Sequence, residues 1–593
     1  MKDFLKMTGA VLTGLCIWGV ISTIFTFITF AMMIASFGKS NKDKPTVVED
    51  YSVLRINLSD AIGDRSSTDY SSIYSSFSFD KVEKRGLNDI SRCIYRAAAD
   101  DKIVGLCVNC SDYNLEDIAT ADALRDLIVE FKKRSHKPVY AFSNSYNNFD
   151  YYIATACDSV YMRTFGDFSL IGLSSQSMYY KGALDKFGIQ PQVIRHGKFK
   201  AAVEPYLQEK MSDANKLQIT TYLTDIWNVV ANAISEGRGI DRENIDRLVN
   251  SLDCYSNDKV CIDEHFLDGV MLESDFDDKV VAEIGSENED GEPKYITVDE
   301  YAKSIVDTDK NTSKIAVLYA GGEIVSESDG SECITSKDLV KDIKTVLKDD
   351  DIKAVVLRVN SPGGSAVEAE IIYQEFLKLK EQKPFVVSMG GYAASGGYYI
   401  SSCANRIFAE PNTITGSIGV FGLILCPNKL LTNTLGVSIE TVNTHEKSSF
   451  NSVMEPKSAA ELAVLQRSVE NVYDVFLQHV ADGRNMSVAA VDSIAQGRVW
   501  TGTSALKIGL VDELGGLEEA ILYAAQLAEL EDGYKVKEFP EDGDDGFMQI
   551  FSQLTGGAVR AIYGDEVYEQ KKFIEAFKHR TGVQALTEKT IIR

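Results

Sequence analysis

Two stretches of this chain, about 250 residues apart, follow the same plan. Lys137-Pro138-Val139-Tyr140-Ala141-Phe142 is matched by Lys383-Pro384-Phe385-Val386-Val387-Ser388, and Tyr151-Tyr152-Ile153 followed by Cys157 is matched by Tyr398-Tyr399-Ile400 followed by Cys403. Residues 101–108 and 350–359 both read as a helix end feeding a β-branched strand, as do the openings 51–58 and 314–320. A repeat of this length is a duplicated folding unit, so the fold of one half constrains the fold of the other. Strands alternate with helical stretches (120–133, 366–380 and 459–482 among them), the pattern of α/β units joined by crossovers. At ~150 residues per domain the length would allow about four domains; the repeat argues for two larger ones. The expected division is 1–45, 46–312 and 313–593, with the boundary in the polar, turn-rich stretch 286–311.

Within the second copy, Ser388-Met389-Gly390-Gly391-Tyr392-Ala393-Ala394-Ser395-Gly396-Gly397-Tyr398-Tyr399 sets one serine among small residues where a buried strand should become a helix. Backbone N–H groups at such a junction favour developing negative charge, and small neighbours admit a substrate backbone. Upstream, Val355-Val356-Leu357-Arg358-Val359-Asn360-Ser361-Pro362-Gly363-Gly364-Ser365 reads as a buried strand running into a stiff Pro-Gly-Gly turn. Glycines after a strand can aim N–H groups outward, as an oxyanion hole requires. One such turn is commonplace. Two at the ends of neighbouring strands suggest that donors and nucleophile share a pocket. Alignment on the tyrosine pairs places Asn148 where Ser395 stands and Phe149-Asp150 where Gly396-Gly397 stand, so the first copy lacks the nucleophile. The glycine pair is also absent after Cys110-Ser111.

The six histidines (His136, His196, His265, His445, His479 and His579) all fall outside these motifs. A triad built from distant residues stays open, but a neutral lysine can also activate serine. Lys200 lies in Arg195-His196-Gly197-Lys198-Phe199-Lys200-Ala201-Ala202-Val203-Glu204-Pro205-Tyr206, an apolar setting for an amine. Lowering a lysine from ~10.4 to near 7 destabilises its charged form by roughly 4–5 kcal/mol, which burial can supply. Taken alone, Lys200 reads more readily as a surface lysine than as a base.

Phe199-Lys200-Ala201-Ala202-Val203-Glu204-Pro205, Ser361-Pro362-Gly363-Gly364-Ser365, Tyr392-Ala393-Ala394-Ser395-Gly396-Gly397-Tyr398 and Thr415-Gly416-Ser417-Ile418-Gly419-Val420 together resemble the signal peptide peptidase A family in its long, two-repeat form. The resemblance runs from the N-terminal apolar run to about residue 530. It implies an α/β fold of two tandem Clp/crotonase-like repeats and a serine protease with a Ser/Lys dyad. By motif, Ser395 matches the nucleophile, Lys200 the general base, and Ser417 a serine that positions the lysine; Gly363, Gly364 and Gly396 are the candidate oxyanion donors. Many relatives carry serine where this chain has Ala201. The resemblance further implies remnant signal peptides as substrates and a homo-oligomer, with a tetramer as one arrangement. It places the chain in the cytoplasmic (inner) membrane of a bacterium, single-pass, with the catalytic body on the non-cytoplasmic side.

Residues 7–38 carry no charged side chain. That exceeds the roughly 20 needed to cross a bilayer and the 7–15 of a cleavable signal core, so a retained transmembrane helix is expected. Lys2 and Lys6 precede the run and Lys39, Lys42 and Lys44 follow it, so flanking charge does not orient it. A net charge of −26 disfavours nucleic acid as a partner. Ten scattered cysteines make no disulfide framework, and Cys107 and Cys110 sit on a buried strand without a second pair. We expect no metal and no cofactor. The tail after residue 538 is acidic, then gives short amphipathic helices at 547–554 and 567–579, for packing or assembly. Two other readings stay open: a crotonase-like acyl-CoA enzyme, indifferent to loss of Lys200, and a non-catalytic membrane scaffold of the same fold, indifferent to loss of Ser395.

Overall fold

The computed structural model describes residues 47–69, 82–255, 257–305, 311–328, 332–530, 533–541 and 582–586. The uncharged run 7–38 and the helices expected at 547–554 and 567–579 lie outside them. Among the described residues no helix is long and apolar enough to cross a membrane.

Each half of the chain builds a sheet around six parallel strands in one shared order, and the second adds Ile414–Gly416 and an antiparallel Val499–Thr501. The first runs Gly269–Met271, Ser159–Arg163, Val139–Ser143, Ile103–Asn109, Ser52–Asn57, Tyr295–Thr297. The second runs Glu513–Leu514, Arg406–Ala409, Phe385–Ala394, Ile352–Ser361, Lys314–Gly321, Lys535–Phe539. Parallel sheets are covered on both faces, which is why the central strands read as unbroken apolar runs. The recurring sequence marks are anchors of this design. Lys137 Nζ donates to the Ala97 and Asp100 carbonyls at 2.9 and 2.7 Å, and Lys383 Nζ donates to those of Val346 and Asp349, both at 2.7 Å. Each lysine thereby caps the carbonyl end of the helix one before its own, Leu87–Ala99 or Ser336–Lys348. The first tyrosine of each pair donates to a distant carbonyl at 2.8 Å, Tyr151 to Phe266 and Tyr398 to Leu510.

The helix expected at 366–380 is Ala366–Lys380, and those at 120–133 and 459–482 are Ile118–Ser135 and Ala459–Arg484. Much of the stretch 286–311, read as a boundary, stays with the first sheet. Tyr295–Thr297 pairs with Ser52–Asn57, and the helix Val298–Ser304 is tied to the same half by Tyr301, whose hydroxyl donates to Asp100 at 2.9 Å.

A third sheet interlocks the halves, in the order Gln190–His196, Val420–Cys426, Gly582–Leu586, Gly363–Ser365, Glu323–Val325, Cys333–Thr335. Gln190–His196, from the front half, pairs antiparallel with the whole of Val420–Cys426 from the rear half. The Pro-Gly-Gly segment is therefore not the tight turn expected from sequence: Gly363–Ser365 is a strand. Gly364 has φ +155°, and a Cβ there would stand 2.0 Å from the Ile324 carbonyl oxygen. The glycine serves close lateral approach of two strands rather than reversal of the chain.

The halves also share a buried ion pair. Arg358, 1% exposed on a central strand of the second sheet, donates through Nε to Asp64 of the first half at 2.8 Å. Its Nη1 donates to Ser388 Oγ at 2.8 Å and to the Met389 carbonyl at 3.1 Å. Removing one partner of a buried pair leaves the other charge uncompensated. Asp64→Ala is expected to cost roughly 3–5 kcal/mol, read as a lower midpoint in chemical denaturation; an unchanged midpoint would show that this pair does not fasten the halves.

Candidate active site

Ser395 stands where the strand Phe385–Ala394 ends and the helix Gly396–Ser401 begins. Its backbone is in a positive-φ conformation (φ 55°, ψ −113°), which for a residue with a Cβ costs of order 1–3 kcal/mol and needs support. Two hydrogen bonds supply it: Ser395 N–H donates to the Gly416 carbonyl and Tyr399 N–H donates to the Ser395 carbonyl, both at 2.8 Å. A Cβ at Gly397 would lie 2.7 Å from the Ser361 carbonyl oxygen, so the helix starts flush against the neighbouring strand only because that residue is glycine.

Lys200 arrives from the other half. The interlocking strand ends at His196, and the chain turns through Gly197 (φ 101°) into the short helical turn Ala201–Val203. The Phe199 N–H donates to the Gln496 carbonyl at 2.9 Å, and Gln218 Nε2 donates to the Phe199 carbonyl at 3.1 Å. Buried Glu204, on the same segment, accepts from the Ser212 hydroxyl at 2.6 Å. The segment is thus pinned on both sides of the lysine.

The two side chains meet. Lys200 Nζ lies 2.7 Å from Ser395 Oγ, and 3.0 Å from both the carbonyl oxygen and Oγ of Ser417. Lys200 and Ser417 are each 1% exposed and Ser395 is fully buried. Ser417 also has positive φ (50°), and its N–H donates to the Arg498 carbonyl at 2.7 Å. Burial alone drives the Lys200 amine well below its ordinary range, with no carboxylate opposing that shift. Three oxygens in hydrogen-bond reach, and no counter-ion among the described residues, suit a neutral amine.

Sequence reading missed one residue that this geometry needs. Gly497 (φ 76°) lies flat on the lysine: a Cβ there would stand 2.7 Å from both the backbone nitrogen and the Cβ of Lys200. Its only signal in sequence is an isolated glycine shortly before the strand Val499–Thr501. Gly419, in the recognised Thr415–Val420 motif, is the companion wall, with a Cβ position 3.3 Å from Lys200 Cδ. Beside Lys200 and Ala201 is a cavity of about 40 Å³, room enough for a water.

The candidate N–H donors come from two elements. Ser361 pairs with Ala393, which sets the glycine strand Gly363–Ser365 alongside the end of the serine strand. The Gly363 N–H is directed to Ser361 Oγ at 3.2 Å. Gly396 is the first residue of its helix, where an N–H has no intrahelical acceptor. In the first half, Asn148 is a structural pin: its Oδ1 accepts from the Ile171 and Gly172 N–H groups at 3.1 and 3.2 Å, and its Nδ2 donates to the Gly172 carbonyl at 2.9 Å. His196 stacks on Tyr473 and contacts Glu470, and His479 stacks on Tyr373 and contacts Glu370, so both are engaged away from Ser395. Cys107 and Cys110 are buried core thiols, Cys107 pushed up to about 12 by desolvation.

The Gly582–Leu586 strand was not foreseen at all. It runs antiparallel between Gly363–Ser365 and Val420–Cys426, filling a strand-wide place between them.

Comparison with known proteins follows the same organisation. The sequence model of Peptidase family S49 matches residues 131–268 and again 377–531, and that of Clp protease matches 309–415. "Protease 4" of Haemophilus influenzae is 32% identical over 544 residues, covering 89% of this chain and 88% of that protein. "Protease 4" of Salmonella typhi is 31% identical over 498 residues, 83% of this chain and 79% of that protein. "Serine protease SPPA, chloroplastic" of Arabidopsis thaliana is 30% identical over 458 residues, 75% of this chain and 66% of that protein.

A desolvated amine has a measurable effect on stability. Where the folded-state pKa is lowered, the unfolded chain binds the extra proton between the two pKa values, so stability rises with pH across that window. Holding the amine neutral below the ordinary lysine range costs folding free energy. Lys200→Met is therefore expected to be more stable than the native chain at neutral pH, with the gap closing as pH approaches ~10.4. A gap independent of pH, or a destabilised variant, would mean that Lys200 is not held uncharged.

Proposed function

This chain belongs to Peptidase family S49 and is a serine protease, and we propose that it is a membrane-anchored endopeptidase working through a Ser395–Lys200 dyad. What supports the assignment is the buried 2.7 Å contact between Lys200 Nζ and Ser395 Oγ. A neutral amine has two N–H groups and one lone pair. With the N–H groups given to the carbonyl and hydroxyl oxygens of Ser417, the lone pair is left for the Ser395 hydrogen.

The reaction follows from that arrangement. Lys200 takes the Ser395 proton as Oγ attacks the peptide carbonyl, and N–H groups of Gly363, Gly364 and Gly396 receive the oxyanion. The Gly363 N–H must turn from Ser361 Oγ to do so. The ammonium then protonates the leaving amine, the C–N bond breaks, and an acyl-serine remains. A water, deprotonated by Lys200, resolves the ester and returns the hydroxyl. Ser417 positions the amine throughout. The helix expected at 7–38 would hold this site beside a bacterial inner membrane, with the body on the non-cytoplasmic side. Remnant signal peptides are the substrates we propose, entering as extended strands along Gly363–Ser365. Division of labour between 46–312, which supplies the base, and 313–593, which supplies the nucleophile, belongs to the same reading, as does assembly into a homo-oligomer.

Hydrolysis of an apolar peptide by protein lacking residues 1–45 tests the dyad. Ser395→Ala and Lys200→Ala are each expected to lower kcat by roughly 10³-fold or more, with both variants folded by circular dichroism. Native kcat/KM should rise with pH along a single limb whose midpoint lies well below ~10.4, because the base must first lose its proton. Retained turnover in Lys200→Ala would remove it as the base, and retained turnover in Ser395→Ala would remove the dyad altogether.

A further inference from the structure

The third sheet is continuous only because the chain's own tail completes it. Without Gly582–Leu586 it divides into Gln190–His196 with Val420–Cys426 on one side, and Gly363–Ser365 with Glu323–Val325 and Cys333–Thr335 on the other. Both exposed edges are then next to the chemistry. One is the glycine strand proposed to supply oxyanion donors, and the other begins three residues after Ser417. The tail pairs Leu586 with Gly363, Ala585 with Gly364 and Gln584 with Ser365, while on its other edge Gln584 faces Phe421 and Val583 faces Gly422. Gln584 is 5% exposed.

The direction of this strand matters. It is antiparallel to both neighbours, so its later residues advance toward Gly363, and Gly363 follows Ser361, which pairs with Ala393 two positions before Ser395. The tail therefore enters the gap with its C-terminal side nearest the nucleophile. A peptide presenting a carbonyl to Ser395 from the acyl side of its scissile bond would run the same way. Strand addition to two open edges uses main-chain hydrogen bonds, which any extended sequence can make.

We propose that residues 582–586 are an autoinhibitory occupant of the peptide groove, competing with substrate for the edges of Gly363–Ser365 and Val420–Cys426. This rests on the proposed function, since it takes that gap to be the substrate site. A groove filled nine-tenths of the time by a tethered strand leaves one-tenth competent, so apparent affinity falls roughly tenfold while the chemistry of bound substrate is unaltered.

The test compares the full chain with a form ending at residue 581 and with Gln584→Pro/Ala585→Pro, in which the tail remains but loses N–H donors toward both edges. Both altered forms are expected to show a KM roughly tenfold lower with kcat nearly unchanged. A synthetic peptide of residues 578–593 should inhibit the shortened form competitively. Its fluorescent version should bind shortened Ser395→Ala protein more tightly than full-length Ser395→Ala, a readout that needs no turnover and so separates this proposal from the dyad. Equal KM in all three forms, absence of peptide binding, or loss of activity on shortening would overturn it, the last by making the tail a required part of the sheet.

Discussion

A buried lysine amine within hydrogen-bond reach of a serine hydroxyl is the interaction on which the rest depends. It cannot form within one half of the chain. The lysine is carried by an antiparallel strand laid along Val420–Cys426, and the serine stands at a strained junction in the rear half. Each supporting feature answers a specific difficulty. Burial lowers the amine without a carboxylate to restore its charge, Gly497 and Gly419 let the chain close over its stem, and Gly416 holds Ser395 in a costly backbone conformation. The favourable energy that balances a desolvated lysine and two positive-φ serines must come from the apolar sheets around them.

Duplication explains how that balance is met. Both halves keep the same sheet order and the same lysine and tyrosine anchors, so each has its own core. The front half has Asn148 fastened to Ile171 and Gly172 where the rear half has Ser395. Beyond Ser169 the front-half chain crosses to its twin, where Gln190–His196 pairs with Val420–Cys426. The buried Arg358–Asp64 pair then joins the halves behind the serine strand.

Local periodicity made the alternation of strands and helices legible, and the helix at 366–380 could be bounded to the residue. Ser395 stood out because small residues surround it at a strand-to-helix junction, whereas Lys200 and Ser417 were singled out by their match to the family's motifs. Three things were hidden. The register of Gln190–His196 on Val420–Cys426 is a long-range pairing that no local pattern encodes. Gly363-Gly364 looks the same in sequence whether it turns or runs flat beside Ile324, and only the partner strand decides. Val583-Gln584-Ala585-Leu586 is an ordinary run whose meaning comes from the gap it fills. In each case the missing information lay in tertiary pairing.

The central claim concerns one proton, and it can be watched directly. Protein with ¹³C at the lysine Cε positions should give one resonance titrating far below the usual ~10.4, absent from Lys200→Met and otherwise leaving the lysine spectrum unchanged. If every lysine of the folded protein titrates near ~10.4, the amine at Ser395 is charged under working conditions and cannot serve as the base.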